Sequence, residues 1–263
     1  MPVILAIAVV AAGAEAQPGA VDRLYVMDCG HNAALDQSRW SPGVNVGKPI
    51  ELSDNCYLIR HGADWLLWDT GYPDAVAEKP ITSPVGTATR TRTLAAQLAE
   101  VGVKPADIRF VAVSHTHGDH VGNVDLFPES TLLIQKAELD WAFAPDKRPP
   151  FKGSGPSGSS TATSTSSATA ALPSSRLPAT RPGISPCSCI CPRRAGSCSV
   201  VTPRTSRDNW DYRRVASMNT SAEQTQASFK RIADLLVEKK AQLWINHDKP
   251  QSLSQKRSPA FYD

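Results

Sequence analysis

Ser114-His115-Thr116-His117-Gly118-Asp119-His120 places three imidazoles and a carboxylate within six residues. They come after the apolar run Ile108-Arg109-Phe110-Val111-Ala112-Val113, which reads as a strand. A buried strand that ends in such groups carries a heavy desolvation cost unless a partner satisfies them. Imidazole nitrogen together with carboxylate oxygen suits zinc and its neighbours. A solvated polar loop is the plain alternative, and it leaves the concentration of ligating side chains unexplained. Gly118 fits a sharp turn that swings Asp119 and His120 toward a second metal. His247 comes after a second apolar run, Gln242-Leu243-Trp244-Ile245-Asn246. A lone histidine in that place is as readily a packed residue as a ligand.

The elements that must position these residues mix α and β. Strands are expected at Arg23-Leu24-Tyr25-Val26-Met27, at Cys56-Tyr57-Leu58-Ile59-Arg60, at Trp65-Leu66-Leu67-Trp68 and at Thr131-Leu132-Leu133-Ile134. Asp69-Thr70-Gly71 closes the third. Leu94, Leu98 and Val101 have helical spacing between Thr93 and a stop at Gly102, and a short helix is expected from Ala137 to Phe143. Thr220 and Glu223 have capping-box spacing ahead of a long helix whose apolar face is Phe229, Ile232, Leu235 and Leu236.

His115-x-His117-x-Asp119-His120 after an apolar strand, with Asp69-Thr70-Gly71 upstream, resembles the metallo-β-lactamase superfamily. Within it the chain is similar to N-acyl-homoserine lactonase-like members. That likeness is carried by Trp68-Asp69-Thr70-Gly71-Tyr72-Pro73, by Val113 to Gly122, and by Trp244-Ile245-Asn246-His247-Asp248. The resemblance implies an α/β (α+β) chain folded as an αββα sandwich, with two divalent metal ions, zinc in the first place, at one edge. It implies that His115, His117 and a third histidine hold one metal. Asp119, which is also the candidate catalytic residue, would hold the other with His120 and His247, and a further aspartate would bridge the two. Asp69 is then a supporting residue that fixes the turn rather than a ligand, and His31 and His61 match no site position. Two such metals hold a hydroxide for attack on a carbonyl, which opens a lactone to a hydroxy acid. Other esters, thioesters and β-lactams share that chemistry and differ in the loops around it.

The pattern breaks after the cluster. No histidine occurs between His120 and His247, so the first metal lacks a ligand. From Gly153 to Leu177 the chain is almost wholly Ser, Thr, Ala, Gly and Pro, which by composition is a disordered linker. Cys187, Cys189, Cys191 and Cys198 crowd the stretch behind it. One hypothesis covers all three features: roughly 153–205 is translated one nucleotide out of register, with the frame restored before Asp208. Read one base earlier, Ala179-Thr180-Arg181-Pro182-Gly183-Ile184 decodes as Gly-His-Thr-Pro-Gly-His, and Val201-Thr202 decodes as Gly-Asp. Ile184 and Thr202 then stand where a histidine and the bridging carboxylate belong. Such a chain is an impaired enzyme, or a non-catalytic remnant with a weak single-metal site. A natural linker leading into a Cys-x-Cys-x-Cys metal or disulfide cluster is the rival reading, and it restores no ligand.

With 263 residues, 41% of them hydrophobic, the chain can bury a sizeable core as a single domain. A net charge of +3 with interleaved signs gives no basic stripe for nucleic acid. The expected partner is a small lactone or ester, and oligomeric state is open. The apolar run from Val3 to Ala12 is too short to span a bilayer. Ala14-Glu15-Ala16 ahead of Gln17 reads as the end of an export signal over residues 1–16, with a periplasmic or secreted address. No Lys or Arg precedes that run, which equally suits a buried strand in a cytoplasmic protein. Cys29 and Cys56 are either a disulfide or two buried thiols.

Overall fold

Alternation of side chains along three strands decides the layers. In β1 (Arg23–Ala34) Tyr25, Met27 and Cys29 point to one side, while Leu24 and Val26 point to the other. The first set packs with Cys56, Leu58 and Leu67 against Leu94 and Leu98 of helix α1 (Leu94–Val101). The second set packs with Tyr57, Ile59 and Leu66 against Trp244 of β10 (Gln242–Ile245). Leu243 and Ile245, on the opposite face of β10, meet Trp210, Phe229 and Ile232, the last two from the long helix α5 (Ala222–Glu238). The order is therefore helix, sheet, sheet, helix, the αββα sandwich that the resemblance implies.

The computed structural model describes residues 21–147, 150–152, 188–190, 199–202, 206–219 and 221–263. Its larger sheet has seven strands: β1, β2 (Ile50–His61), β3 (Asp64–Trp68), β4 (Ile81–Ser83), β5 (Gly86–Thr89), β6 (Ile108–Ala112) and β7 (Thr131–Leu133). Their spatial order is β4-β5-β1-β2-β3-β6-β7. β1, β2 and β3 pair antiparallel, whereas β3, β6 and β7 run parallel. The smaller sheet joins β8 (Ser188–Ile190), β9 (Ser199–Thr202) and β10, with β9 and β10 parallel. These two short backbone ladders are the described parts of the stretch read as out of frame. The segment 153–187, Ile184, the flanking Cys187, Cys191 and Cys198, and the export signal at residues 1–16 lie outside the described residues.

Most elements stand where their local signals put them, and the departures have physical reasons. Thr93 caps α1 by accepting from the Ala96 amide at 3.1 Å, and Gly102 ends it with φ +76°. Helix α5 is capped by Ser221, whose hydroxyl accepts from the Gln224 amide; Thr220, of the expected Thr220–Glu223 box, lies outside the described residues. β1 and β2 are longer than their apolar runs because their outer halves pair through polar residues, Asn32 opposite Leu52 and His31 opposite Ser53. The β4–β5 hairpin carries no strand signal of its own: its Thr and Ser residues lack apolar alternation, and β1 draws it into the sheet by pairing.

Cys29 occupies a bulge where β1 changes register between Asp28 and Gly30, and it is disulfide-bonded to Cys56 with a Cα–Cα distance of 5.7 Å. Both residues are fully buried. No described helix is long and apolar enough to cross a membrane. The bond closes a sequence separation of 27 residues, so replacing both cysteines by alanine should lower the unfolding free energy by roughly 3 kcal/mol. The midpoint of denaturant unfolding with and without reductant checks this; a midpoint indifferent to both treatments would show that the thiols do not pair in solution.

Candidate metal centre

β6 delivers the chain into the centre of the larger sheet's edge, and three backbone bonds hold the segment beyond it. Val113 donates to Leu133 O, Ser114 donates to a carboxylate oxygen of Asp69 at 2.7 Å, and Thr116 donates to Glu138 at 2.7 Å. His117 is the N-cap of a single helical turn, α2 (Gly118–Val121), which carries Asp119 and His120. This corrects the role given to Gly118: it has no positive φ, and a Cβ there would meet nothing. The reversal is made by the helical turn itself, so Gly118 is dispensable for it.

The loop after β3 clasps this turn. Asp69 and Gly71 both adopt positive φ, +60° and +70°. Their unusual backbone lets Thr70 donate to His120 O at 2.8 Å and Gly71 O accept from the Gly122 amide at 2.9 Å. A Cβ on Gly122 would run into the backbone of Gly71 and Pro73, so the two segments touch backbone to backbone. Asn123 completes the clasp by donating to the carbonyls of Thr70 and Tyr72, each at 2.7 Å.

His247 arrives from the other sheet and is pinned to β2. Asp248 bridges to Leu52, and the His247 ring donates through Nδ1 to Ser53 O at 2.8 Å. Asp248 then caps helix α6 (Lys249–Ser254) by accepting from the Gln251 amide at 2.9 Å. Asn246 secures the same junction, donating to Asp54 Oδ1 at 3.0 Å and accepting from the Asn55 amide at 3.1 Å.

The imidazoles converge. Ring centroids of His115 and His120 lie 4.0 Å apart, those of His115 and His117 4.5 Å, and those of His120 and His247 5.1 Å. His120 Nδ1 faces Asp69 Oδ2 at 2.9 Å, and His247 Nδ1 faces a carbonyl oxygen. Both partners are acceptors, so both rings carry a proton on Nδ1, and in its neutral form each ring keeps its lone pair on Nε2. Those two atoms are 3.2 Å apart. Two lone pairs at that distance repel unless a proton or a metal cation lies between them. Two ligands of a tetrahedral zinc, each about 2.0–2.1 Å from the metal, stand about 3.3 Å apart. Asp119 Oδ2 is 3.6 Å from the same His120 nitrogen.

The charges around the cluster make the same demand. Burial lowers His115 well below the ordinary imidazole value, helped by His120, His117 and His247, so His115 is neutral and free to ligate. Burial and His120 likewise lower His247. Burial also works to lower His120, but Asp119, Asp69 and Asp54 outweigh it and hold His120 at about 10. Burial alone would raise Asp119, yet His120, His247 and His117 keep it below the usual carboxylate value. The cluster thus calls for a positive charge beside His120 Nε2, and the donor set fits a divalent cation.

His115, His117, Asp119, His120 and His247 are brought together at this edge, whereas His31 and His61, which match no site position, are not. His31 lies apart, its Nε2 3.2 Å from Asp28, and His61 ends β2. Asp69 touches His120 and the Ser114 amide, the place expected of a turn-fixing residue. The structure adds one member that sequence reasoning does not find. Asp54, on β2, offers a carboxylate oxygen that lies with a ring nitrogen of each of His120 and His247 in a group whose atoms are all within 4.8 Å of one another. Its signal in the sequence is the polar run Ser53-Asp54-Asn55 inside an otherwise apolar strand, all of it buried.

Comparisons with known proteins agree with this geometry. The sequence profile of the metallo-beta-lactamase superfamily matches residues 50–182. An N-acyl homoserine lactonase AttM of Rhizobium johnstonii is 30% identical over 139 residues, 47% of this chain and 49% of the relative. An N-acyl homoserine lactonase of Bacillus cereus is 30% identical over 133 residues, 46% of this chain and 52% of the relative. The chain spans about half the length of the curated relatives it matches. A solved N-acyl homoserine lactone hydrolase, with the product N-hexanoyl-L-homoserine at its catalytic metal centre, superposes with a TM-score of 0.67 at 19% identity, covering 92% of this chain and 100% of that one. The dizinc quorum-quenching lactonase AidC superposes with a TM-score of 0.58 at 16% identity, covering 93% and 96%. With its profile matched across half the chain and its sandwich matched across nearly all of it, this chain belongs to the metallo-β-lactamase superfamily.

Proposed function

We propose that the chain is a metal-dependent hydrolase that opens the ring of small lactones, acyl-homoserine lactones first, with His115, His117, Asp119, His120 and His247 as ligands and zinc as the metal. The observation that carries the reading is the convergence of the Nε2 atoms of His120 and His247, 3.2 Å apart beside Asp119. The relatives named as N-acyl homoserine lactonases support the substrate class.

A divalent cation bound here supplies Lewis acidity, polarising the ester carbonyl and making water acidic enough to attack near neutral pH. The chain's own residues do the rest. Asp69 and Ser53 O fix the two imidazoles in the tautomer that leaves Nε2 bare. Asp119 is placed to take the proton from the attacking water and return it to the ring oxygen. A bond forms from water oxygen to the carbonyl carbon, the ring carbon–oxygen bond breaks, and the proton ends on the new hydroxyl.

The gap after the cluster favours reduced activity. We place Thr202 at the position of the missing bridging carboxylate. Its backbone supports this: Thr202 ends β9 beside Ile245, two residues before His247. A threonine hydroxyl is a poor substitute for a carboxylate, and Ile184 cannot ligate at all. We likewise propose export to an oxidising compartment, for which the Cys29–Cys56 disulfide is the support; a mature N-terminus at Gln17 would be its signature.

Two measurements test the function. In a version carrying Ile184→His and Thr202→Asp, ring opening of an acyl-homoserine lactone should exceed that of the present chain, and adding His117→Ala should abolish it. Full turnover by the His117→Ala protein, or in excess chelator, would overturn the metal role. Asp69→Asn should keep the bond from the Ser114 amide but lose the fixed tautomer of His120. Zinc affinity, read by competition with a chromophoric chelator, should then fall roughly 10- to 100-fold with the fold intact.

A further inference from the structure

Asp54 is a carboxylate at 2% exposure with one oxygen satisfied and the other not. Oδ1 accepts from Asn246, whereas Oδ2 has no hydrogen-bond partner among the described residues. The buried guanidinium of Arg90 does not relieve it, because Arg90 gives its donors to Asp74, Tyr72 O and Arg92 O. Carboxylates this deep in proteins are paired or coordinate a metal. Among the described residues no Lys or Arg forms an ion pair with this one, and one of its oxygens lies in a group with a ring nitrogen of each of His120 and His247, all within 4.8 Å of one another.

Asp54 also sits where the backbone has been shaped to admit it. It pairs with Gly30 across the Cys29 bulge of β1, and Gly30 has φ +143°. A Cβ on Gly30 would strike the ring of Tyr72, so that ring packs directly over the bulge. The strand that carries Asp54 is the strand that pins His247 through Ser53 O, and Asn246 bonds the carboxylate and the His247 junction together. One rigid unit therefore presents an oxygen and a nitrogen to the same point.

We propose that Asp54 is a direct metal ligand, joining His120, His247 and Asp119 around a single ion. This inference rests on the metal role proposed for His120 and His247. It gives the chain a carboxylate ligand that comes from β2 and owes nothing to the stretch ending in Thr202.

The test is cobalt(II) titration of the metal-stripped full chain, read by visible absorption and equilibrium dialysis, alongside Asp54→Asn and His120→Ala. Asparagine keeps the acceptor for Asn246 and removes only the charge. Wild type should bind cobalt tightly; Asp54→Asn should bind it roughly a hundredfold more weakly or worse, with an altered spectrum. Without metal the effect should reverse in sign: Asp54→Asn should melt roughly 2–4 °C higher than metal-free wild type, because an unpaired buried charge is gone. Equal affinity and spectrum in wild type and Asp54→Asn would overturn the role of Asp54 and leave that of the histidines standing. Cobalt binding absent from wild type and His120→Ala alike would overturn both. Weaker binding together with a lower metal-free melting temperature would mark Asp54 as structural and overturn the assignment as well.

Discussion

Two imidazole nitrogens with no proton between them cannot rest 3.2 Å apart without a cost. Everything at this edge of the sandwich serves to impose that contact. Asp69 commits the Nδ1 of His120, Ser53 O commits the Nδ1 of His247, and the two Nε2 lone pairs are left facing each other. A protein interior is built from groups whose demands are met. This one keeps an unmet demand for positive charge, surrounded by Asp54, Asp69 and Asp119. That demand is the physical meaning of the site, whatever ion answers it.

The contact survives because each histidine is tied to a different sheet and the sheets are tied to each other. His120 is gripped by the loop after β3 through Thr70 and through the close approach of Gly122 to Gly71 and Pro73. His247 is gripped by β2 through Ser53 and the Leu52–Asp248 bridge. Trp244, one strand residue upstream of that grip, packs on Tyr57 and thereby joins the smaller sheet to the larger. A site carried by short loops thus gains the rigidity of two packed sheets, which is what holding ligands at bonding distance needs.

Much of this is legible in the sequence because it depends on local signals. The ligand density of His115 to His120, the strand ahead of it, the Thr93 and Gly102 ends of α1 and the apolar face of α5 all come from periodicity and capping chemistry. The parts that stay hidden depend on partners far along the chain. Asp54 shows in the sequence only as a polar residue in a strand, and its meaning comes from His120 and His247, 66 and 193 positions away. The β4–β5 hairpin exists because β1 offers it an edge. The N-cap of α5 falls on Ser221, a residue whose hydroxyl accepts a backbone amide as readily as a threonine's, so the sequence alone does not single it out. Gly118 misleads because a glycine beside a reversal suggests positive φ, whereas here the reversal is a helical turn.

The metal centre divides into two halves with different origins in the chain. One half, Asp54, Asp69, Asp119, His120 and His247, is assembled from β2, the loop after β3, α2 and the end of β10, all outside the Ser- and Thr-rich stretch. The other half, built on His115 and His117, has no third histidine to draw on anywhere before His247. An alteration confined to roughly 153–205 would therefore take the third histidine from one half and the bridging carboxylate from both, leaving the other half its two imidazoles and its own carboxylates. His115 Nε2 lies 3.0 Å from His117 Nδ1, so the poorer half can close on itself through a ring-to-ring hydrogen bond. The richer half can bridge its two Nε2 atoms only by taking up an extra proton on His120, since both its Nδ1 protons are already given away. Under the proposed reading, a single ion would settle where the protein cannot satisfy itself, and that is on the side of Asp54.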